Sequence, residues 1–152
     1  MIQRVQSIFL FFSFVLLATM LFMPFAEITD NSAQLVTFDA YSVENMAQNA
    51  EISNALAMAV LIAITAAISL ITIFLYNNRM LQMRLGVYNI LVLVGTTVML
   101  YVYPNYIADI DIETIQYQIS AMFPVIAIIL TILANRAIRK DENKIKAADR
   151  IR

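Results

Sequence analysis

Residues 55–103 read ALAMAVLIAITAAISLITIFLYNNRMLQMRLGVYNILVLVGTTVMLYVY. Two apolar runs, about Ala55 to Tyr76 and about Val87 to Tyr103, flank a short polar connection, Asn77 to Gly86, that carries Arg79 and Arg84. Runs of this length match a helix crossing hydrocarbon about 30 Å thick, at 1.5 Å per residue. A connection this short makes the two helices antiparallel neighbours.

The charges around this pair give it a direction. The segment before it, 26–54, holds Glu27, Asp30, Asp39, Glu44 and Glu51, and the segment after it, 104–122, holds Asp109, Asp111 and Glu113. Neither contains a lysine or an arginine. Further apolar runs lie at about Ile8 to Phe25 and about Phe123 to Ile138, and every remaining basic residue lies at their far ends: Arg4, and the seven from Arg136 to Arg152. Because Lys and Arg bias loops toward the cytoplasm, the partition predicts four spans with both termini inside. The expected fold is an all-α four-transmembrane-helix bundle forming one domain over 1–152. Its spans are about 8–25, 55–76, 87–103 and 123–138, its outer segments are 26–54 and 104–122, and 139–152 is a cytoplasmic tail.

A composition of 61% hydrophobic and 14% charged residues agrees with an integral membrane protein and not with a soluble domain of 152 residues. Cysteine and histidine are both absent. That removes thiolate nucleophiles, disulfides, structural zinc sites and the usual proton shuttle at neutral pH. No catalytic residue, cofactor or metal ligand is assigned, and the chain is read as non-enzymatic. The first apolar run is longer than a signal-peptide core, and its exit at Met23, Pro24, Phe25 and Ala26 lacks a small-residue cleavage site, so it is read as a retained span.

Pro24, Pro104 and Pro124 all fall at the outer boundary, where proline opens a helix or follows one without breaking its interior. Tyr101, Tyr103 and Tyr106 crowd the same boundary, and Tyr76 and Tyr88 flank the inner one, as amphipathic rings do at headgroup level. In the first outer segment, alternation from Leu35 to Tyr41 after the turn signal Asp30, Asn31, Ser32 predicts a β-hairpin, and Ser42 is placed to cap a short helix through Ala50. In the second, Thr114 to Ser120 alternates with a period of two and predicts a third strand, against the rival of an early start to the fourth helix, since Ile112, Ile115, Ile119 and Met122 also recur at helical spacing but would put Pro124 inside that helix. Paired together, these strands would form a small β cap. Asp109, Asp111 and Glu113 alternate as if on one strand face, but a calcium loop needs more oxygen ligands and a glycine turn.

Within the spans lie Ser13, Thr19, Asn89, Gly95, Thr96 and Thr97, and the hydroxyls of Thr65, Ser69 and Thr72 in the second, with no ionisable side chain at depth, which argues against a proton-coupled transporter. Ala55, Ala59, Ala63 and Ala67 recur every four residues and predict a helix-packing seam. The tail reads as a helix with Glu142 and Lys146 four residues apart. Its stripe of Ala134, Ile138, Ile145 and Ala148 is surrounded by cations. Arg4, Arg136, Arg139, Lys140, Lys144, Lys146, Arg150 and Arg152 are therefore the candidate contacts to a cytoplasmic partner or to anionic lipid headgroups.

The opening Met1-Ile2-Gln3-Arg4-Val5-Gln6 and the closing Leu133-Ala134-Asn135-Arg136-Ala137-Ile138-Arg139-Lys140-Asp141-Glu142, with Ala148-Asp149-Arg150-Ile151-Arg152, resemble an uncharacterised four-span membrane family of Bacteroidetes, a domain of unknown function. The resemblance implies a bacterial inner-membrane protein and supplies no activity or catalytic residue. If spans one and four are adjacent, topology places Gln3, Arg4 and Gln6 near Asn135, Arg136 and Arg139. The expected role is a scaffold or accessory subunit of a membrane complex. A small channel or carrier for a neutral or lipophilic molecule, using Asn89, Thr96 and Thr97, is the alternative. Expected partners are the bilayer, a membrane or cytoplasmic protein, and a second copy of the chain, but not nucleic acid.

Overall fold

The computed structural model describes residues 3–30, 34–45, 50–76, 78–106 and 112–149. Four helices, α1 (Gln3–Met20), α2 (Leu56–Phe74), α3 (Arg79–Val102) and α4 (Phe123–Asp149), are joined by five strands, β1 (Ala26–Asp30), β2 (Leu35–Phe38), β3 (Ser42–Asn45), β4 (Ala50–Asn54) and β5 (Ile112–Tyr117). Neighbouring helices pack in a closed ring, α1 on α2, α2 on α3, α3 on α4 and α4 on α1. Three helical stretches, Leu56–Phe74, Arg79–Tyr106 and Ile119–Lys144, are long and apolar enough to cross a membrane. The apolar part of α1 described, Gln6–Met20, is shorter.

The packing follows one rule in all four helices. Buried positions alternate steps of four and three: Gln6, Leu10, Ser13, Leu17 and Met20 in α1; Met58, Ile62, Thr65, Ser69 and Thr72 in α2; Gln82, Gly86, Asn89, Leu93, Thr96 and Leu100 in α3; Ala127, Thr131, Ala134, Ile138 and Asp141 in α4. A mean step of 3.5 keeps one seam facing its neighbours, as in left-handed bundles. Many seam residues are small or hydroxylated, whereas Ile8, Phe11, Phe12, Leu91, Val98 and Ile129 point outward and are about half exposed. Small residues interspersed along the seam and large apolar ones on the outer face suit a bundle solvated by lipid.

The expected alanine seam holds only at its start. Ala55 and Ala59 are buried, but Ala63 and Ala67 are exposed and Ala66 is buried instead. A strict step of four advances about 40° per turn around a 3.6-residue helix, so such a row winds off the interface within two turns. The interface follows Met58, Ile62, Thr65, Ser69 and Thr72. A second adjustment concerns α3, which begins at Arg79, eight residues before the expected start at Val87, because Gln82 and Gly86 continue its buried seam.

The chain is not all-α. The strands form one antiparallel sheet in the order β4-β3-β2-β1-β5. The expected hairpin pairs β1 with β2, Ala26 opposite Phe38 and Ile28 opposite Val36, while β5 adds to the free edge of β1 with Ile28 opposite Ile115. The residues of the turn signal, Asn31 and Ser32, lie outside the described residues. The expected helix from Ser42 to Ala50 is overturned: Ser42–Asn45 is β3 and Ala50 begins β4, with 46–49 outside the described residues. Val43 pairs opposite Phe38, and both are fully buried. The turn preceding β3 is closed by Asp39, whose Oδ1 accepts the backbone N–H groups of Tyr41 and Ser42 at 2.8 Å each. Asp39, rather than Ser42, supplies the local side-chain cap. The fifth strand ends at Tyr117, three residues early, and a short 3-10 turn, Ile119–Met122, leads into α4.

Candidate functional site

The sheet sits over the end of the bundle where α1 and α3 finish and α2 and α4 begin. Phe38 packs edge-on to Phe25, centroids 5.4 Å apart, and stacks on Tyr103 at 5.6 Å. Tyr103 donates to the carbonyl of Asn54 at 3.2 Å, Tyr101 to that of Ala121 at 3.2 Å, and Ser120 to that of Pro24. Two of the three boundary tyrosines thus tie helix ends to the connecting segments, whereas Tyr106 is exposed. Tyr117 stacks obliquely on Tyr101, centroids 4.9 Å apart, and burial, reinforced by the neighbouring Tyr101 phenol, raises its hydroxyl above the ordinary 10.0. Glu27 and Glu44 lie on the face of the sheet away from this core, and Glu27 accepts from the Gln118 amide at 2.6 Å. A cleft of about 570 Å³ runs between this sheet, at Thr37, Asp39 and Glu44, and the turn after α1, at Phe22 and Met23. Asp109 and Asp111 lie outside the described residues, and no group of three or more carboxylates suited to a metal forms among the described residues.

Between the ends, most polar side chains of the helices bond to a neighbouring side chain or to a backbone carbonyl, while Asn89 Oδ1 is buried without a hydrogen-bond partner. Asn89 of α3 donates to the Ser69 hydroxyl of α2 at 2.8 Å, and Gln82 donates to the Thr72 carbonyl at 3.1 Å. Ser13 of α1 meets Thr131 of α4 at 3.5 Å. Thr19, Thr96 and Thr97 each donate to the carbonyl four residues back, at 2.7 to 2.9 Å. Such back-bonding satisfies a hydroxyl without a partner helix. Gly95 meets nothing where a side chain would stand, while at Gly86 the amide of Asn135 occupies the space of a Cβ, bringing α3 and α4 together.

The opposite end gathers the N-terminus of α1, the start of α3 and the last turns of α4. The adjacency expected of spans one and four is present, but the contact differs in partner: Gln6 donates to Asp141 Oδ2 at 2.5 Å, with both residues buried. The second carboxylate oxygen, Oδ1, is buried without a hydrogen-bond partner. Of the candidate basic residues, Arg136, Arg139, Lys140 and Lys144 are exposed on α4, and they line one open groove of about 510 Å³. The side chains of Arg4, Lys146, Arg150 and Arg152 lie outside the described residues. Arg139 also closes a second cleft of about 330 Å³ with Arg84, Met80, Met83, Val87 and Tyr88 of α3, and a third of about 230 Å³ with Met83, Glu142 and Asn143.

Arg139 is therefore the one candidate residue shared by three clefts, and Arg84 joins it although sequence reasoning placed it only in a connection. The signal was available in the continuing 3-4 pattern of Gln82, Gly86 and Asn89, which makes Arg84 helical and sets it beside α4. Gln6 and Asp141 were less legible, because pairing across 135 residues depends on which helices adjoin. A comparison with curated proteins finds no match. The whole chain but its terminal residues, 2–151, matches one family, and the protein belongs to it: the family described as a domain of unknown function (DUF4293).

Proposed function

We propose that the protein is a four-span integral protein of the bacterial inner membrane, with both termini cytoplasmic, acting as a non-enzymatic scaffold or accessory subunit of a membrane complex. The α1 helix, 18 residues and about 27 Å long, is the fourth span. It packs along α2 and α4 and presents Ile8, Phe11, Phe12 and Val15 outward, as a lipid-facing helix does. The positive-inside bias puts the Arg-rich end in the cytoplasm and the sheet outside.

One observation carries the scaffold reading: the hydroxyls and amide N–H groups described inside the bundle are bonded to neighbouring side chains or to helix carbonyls, while the clefts described above lie at its two ends. Of the side chains a channel for a neutral molecule would use, Thr96 and Thr97 are engaged by the carbonyls of Val92 and Leu93 and the Asn89 amide N–H by Ser69, with Asn89 Oδ1 left without a partner. The test is photo-crosslinking in cells from Glu44 on the sheet and Lys144 on α4, followed by purification in mild detergent. A reproducible protein adduct from either position supports the proposal. Only self-adducts or none, together with solute flux through liposomes containing the purified chain, would replace it with the channel reading.

A further inference from the structure

The interhelix cleft at the basic end differs from the open groove along the tail in being built from two helices and two chemistries. Met80, Arg84, Val87 and Tyr88 recur on α3 at i, i+4, i+7 and i+8, one face of its first three turns. Arg139 reaches the same cleft from α4. The Gly86–Asn135 contact lies one turn before Arg139 and two residues after Arg84, so the separation of the two cation-bearing backbones is fixed by close packing and not by a mobile loop. Met80, Val87 and Tyr88 are 45% to 60% exposed, which leaves an apolar wall open beside the two guanidinium groups. α3 has no acidic residue in its first turn, Asp141 is turned inward to Gln6, and Glu142 lines the adjoining cleft with Arg139.

We infer that this cleft binds one anionic phospholipid, the Arg84 and Arg139 guanidinium groups holding its phosphate and Met80, Val87 and Tyr88 lying along its glycerol and first acyl carbons. A planar guanidinium with paired N–H donors suits a phosphate oxygen pair. The site rests on the membrane-spanning reading above, since only then does the start of α3 lie at headgroup depth, and charge complementarity selects an anionic headgroup over a zwitterionic one. It is distinct from the diffuse attraction of the tail cations to a negative surface, because it requires two residues on two helices.

The test uses the full chain, purified from nanodiscs of phosphatidylcholine with and without phosphatidylglycerol, with lipids retained read by native mass spectrometry. Wild type is expected to retain a single phosphatidylglycerol and no phosphatidylcholine. Arg84→Gln and Arg139→Gln should each weaken retention about tenfold or more, and the double variant by less than the product, as expected when both hold one phosphate. Arg84→Lys, which keeps the charge and loses the fork, should fall between wild type and Arg84→Gln. Lys144→Gln, outside the cleft, should cost less than about fivefold, the effect of one surface cation. Equal losses for Lys144→Gln and Arg84→Gln, or multiplicative losses for the two arginines, would overturn the site in favour of diffuse attraction. Displacement of the lipid by glycerol phosphate at equal concentration would overturn it in favour of a free phosphate site. The chain has no cysteine, so Glu44→Cys added to each of these variants reports insertion separately by thiol labelling, and a chain that inserts normally and retains no phosphatidylglycerol contradicts the site alone.

Discussion

Phe38→Ala tests how the sheet is held on the helices. The Phe38 side chain is fully buried where three parts of the chain meet: β2, the turn after α1 through Phe25, and the end of α3 through Tyr103. Truncation leaves the backbone bond from Phe25 N–H to the Phe38 carbonyl, 2.7 Å, in place. What is lost is the ring, for which Phe-to-Ala changes in cores cost about 3–5 kcal/mol. Roughly 0.5–1.5 kcal/mol of that belongs to each of the two aromatic pairs. A value toward the upper end is expected, because Phe25 and Tyr103 are anchored to different elements and cannot close the cavity together. Equilibrium unfolding in detergent, read by resistance of the sheet segment to proteolysis, measures the loss. A double-mutant cycle with Tyr103→Leu should return a coupling of about 1 kcal/mol. A loss under about 1 kcal/mol, or no coupling, would show that the sheet is not docked through this ring.

Three further outcomes are expected. Gly86→Ala should destabilise by about 1–3 kcal/mol in steric-trap unfolding, because the new Cβ meets the Asn135 amide at under 3 Å, and Asn135→Ala should restore most of the loss. Ala66→Leu should cost a similar amount through overpacking, whereas Ala63→Leu on the exposed face should stay within about 0.5 kcal/mol of wild type; equal costs would restore the strict four-residue seam. Tyr117 holds its proton more tightly in the folded state than its ordinary value of 10.0, so its contribution is intact below that pH and is lost as pH rises through the raised value. Thermal unfolding should therefore show an added loss of stability above pH 10 that Tyr117→Phe removes, and an unchanged slope in that variant contradicts the assignment.

The apolar runs of 55–103 made the long helices legible because hydrocarbon thickness and helical rise admit few other readings. Boundaries were less legible wherever tertiary contacts extended an element past its apolar run, as Gln82 and Gly86 do for α3. The hairpin was visible in the alternation of Leu35 to Phe38, but Ser42 could be read either as a cap or as a strand residue, and the choice is made by Val43 finding Phe38 opposite it. That β5 joins β1 across a gap of two helices has no local signal; it follows from Ile28 and Ile115 sharing a buried face. At the basic end the charges were plain from sequence, while the pairing of Arg84 with Arg139 required knowing that Gly86 admits Asn135. Net charge conceals this, since -1 is the remainder of ten basic residues and eleven acidic ones, eight of the acids falling in the two segments 26–54 and 104–122 that hold no basic residue.

The most direct measurement is the sidedness of single cysteines. The chain contains none, so Gln3→Cys, Glu44→Cys and Lys144→Cys each create a sole thiol in α1, β3 and α4. With a membrane-impermeant maleimide on intact spheroplasts, Glu44→Cys should label at once, and Gln3→Cys and Lys144→Cys only after permeabilisation. Labelling of Gln3→Cys from outside would remove α1 as a span, and labelling of Glu44→Cys and Lys144→Cys from the same side would contradict the separation of a sheet end from a basic end across the membrane.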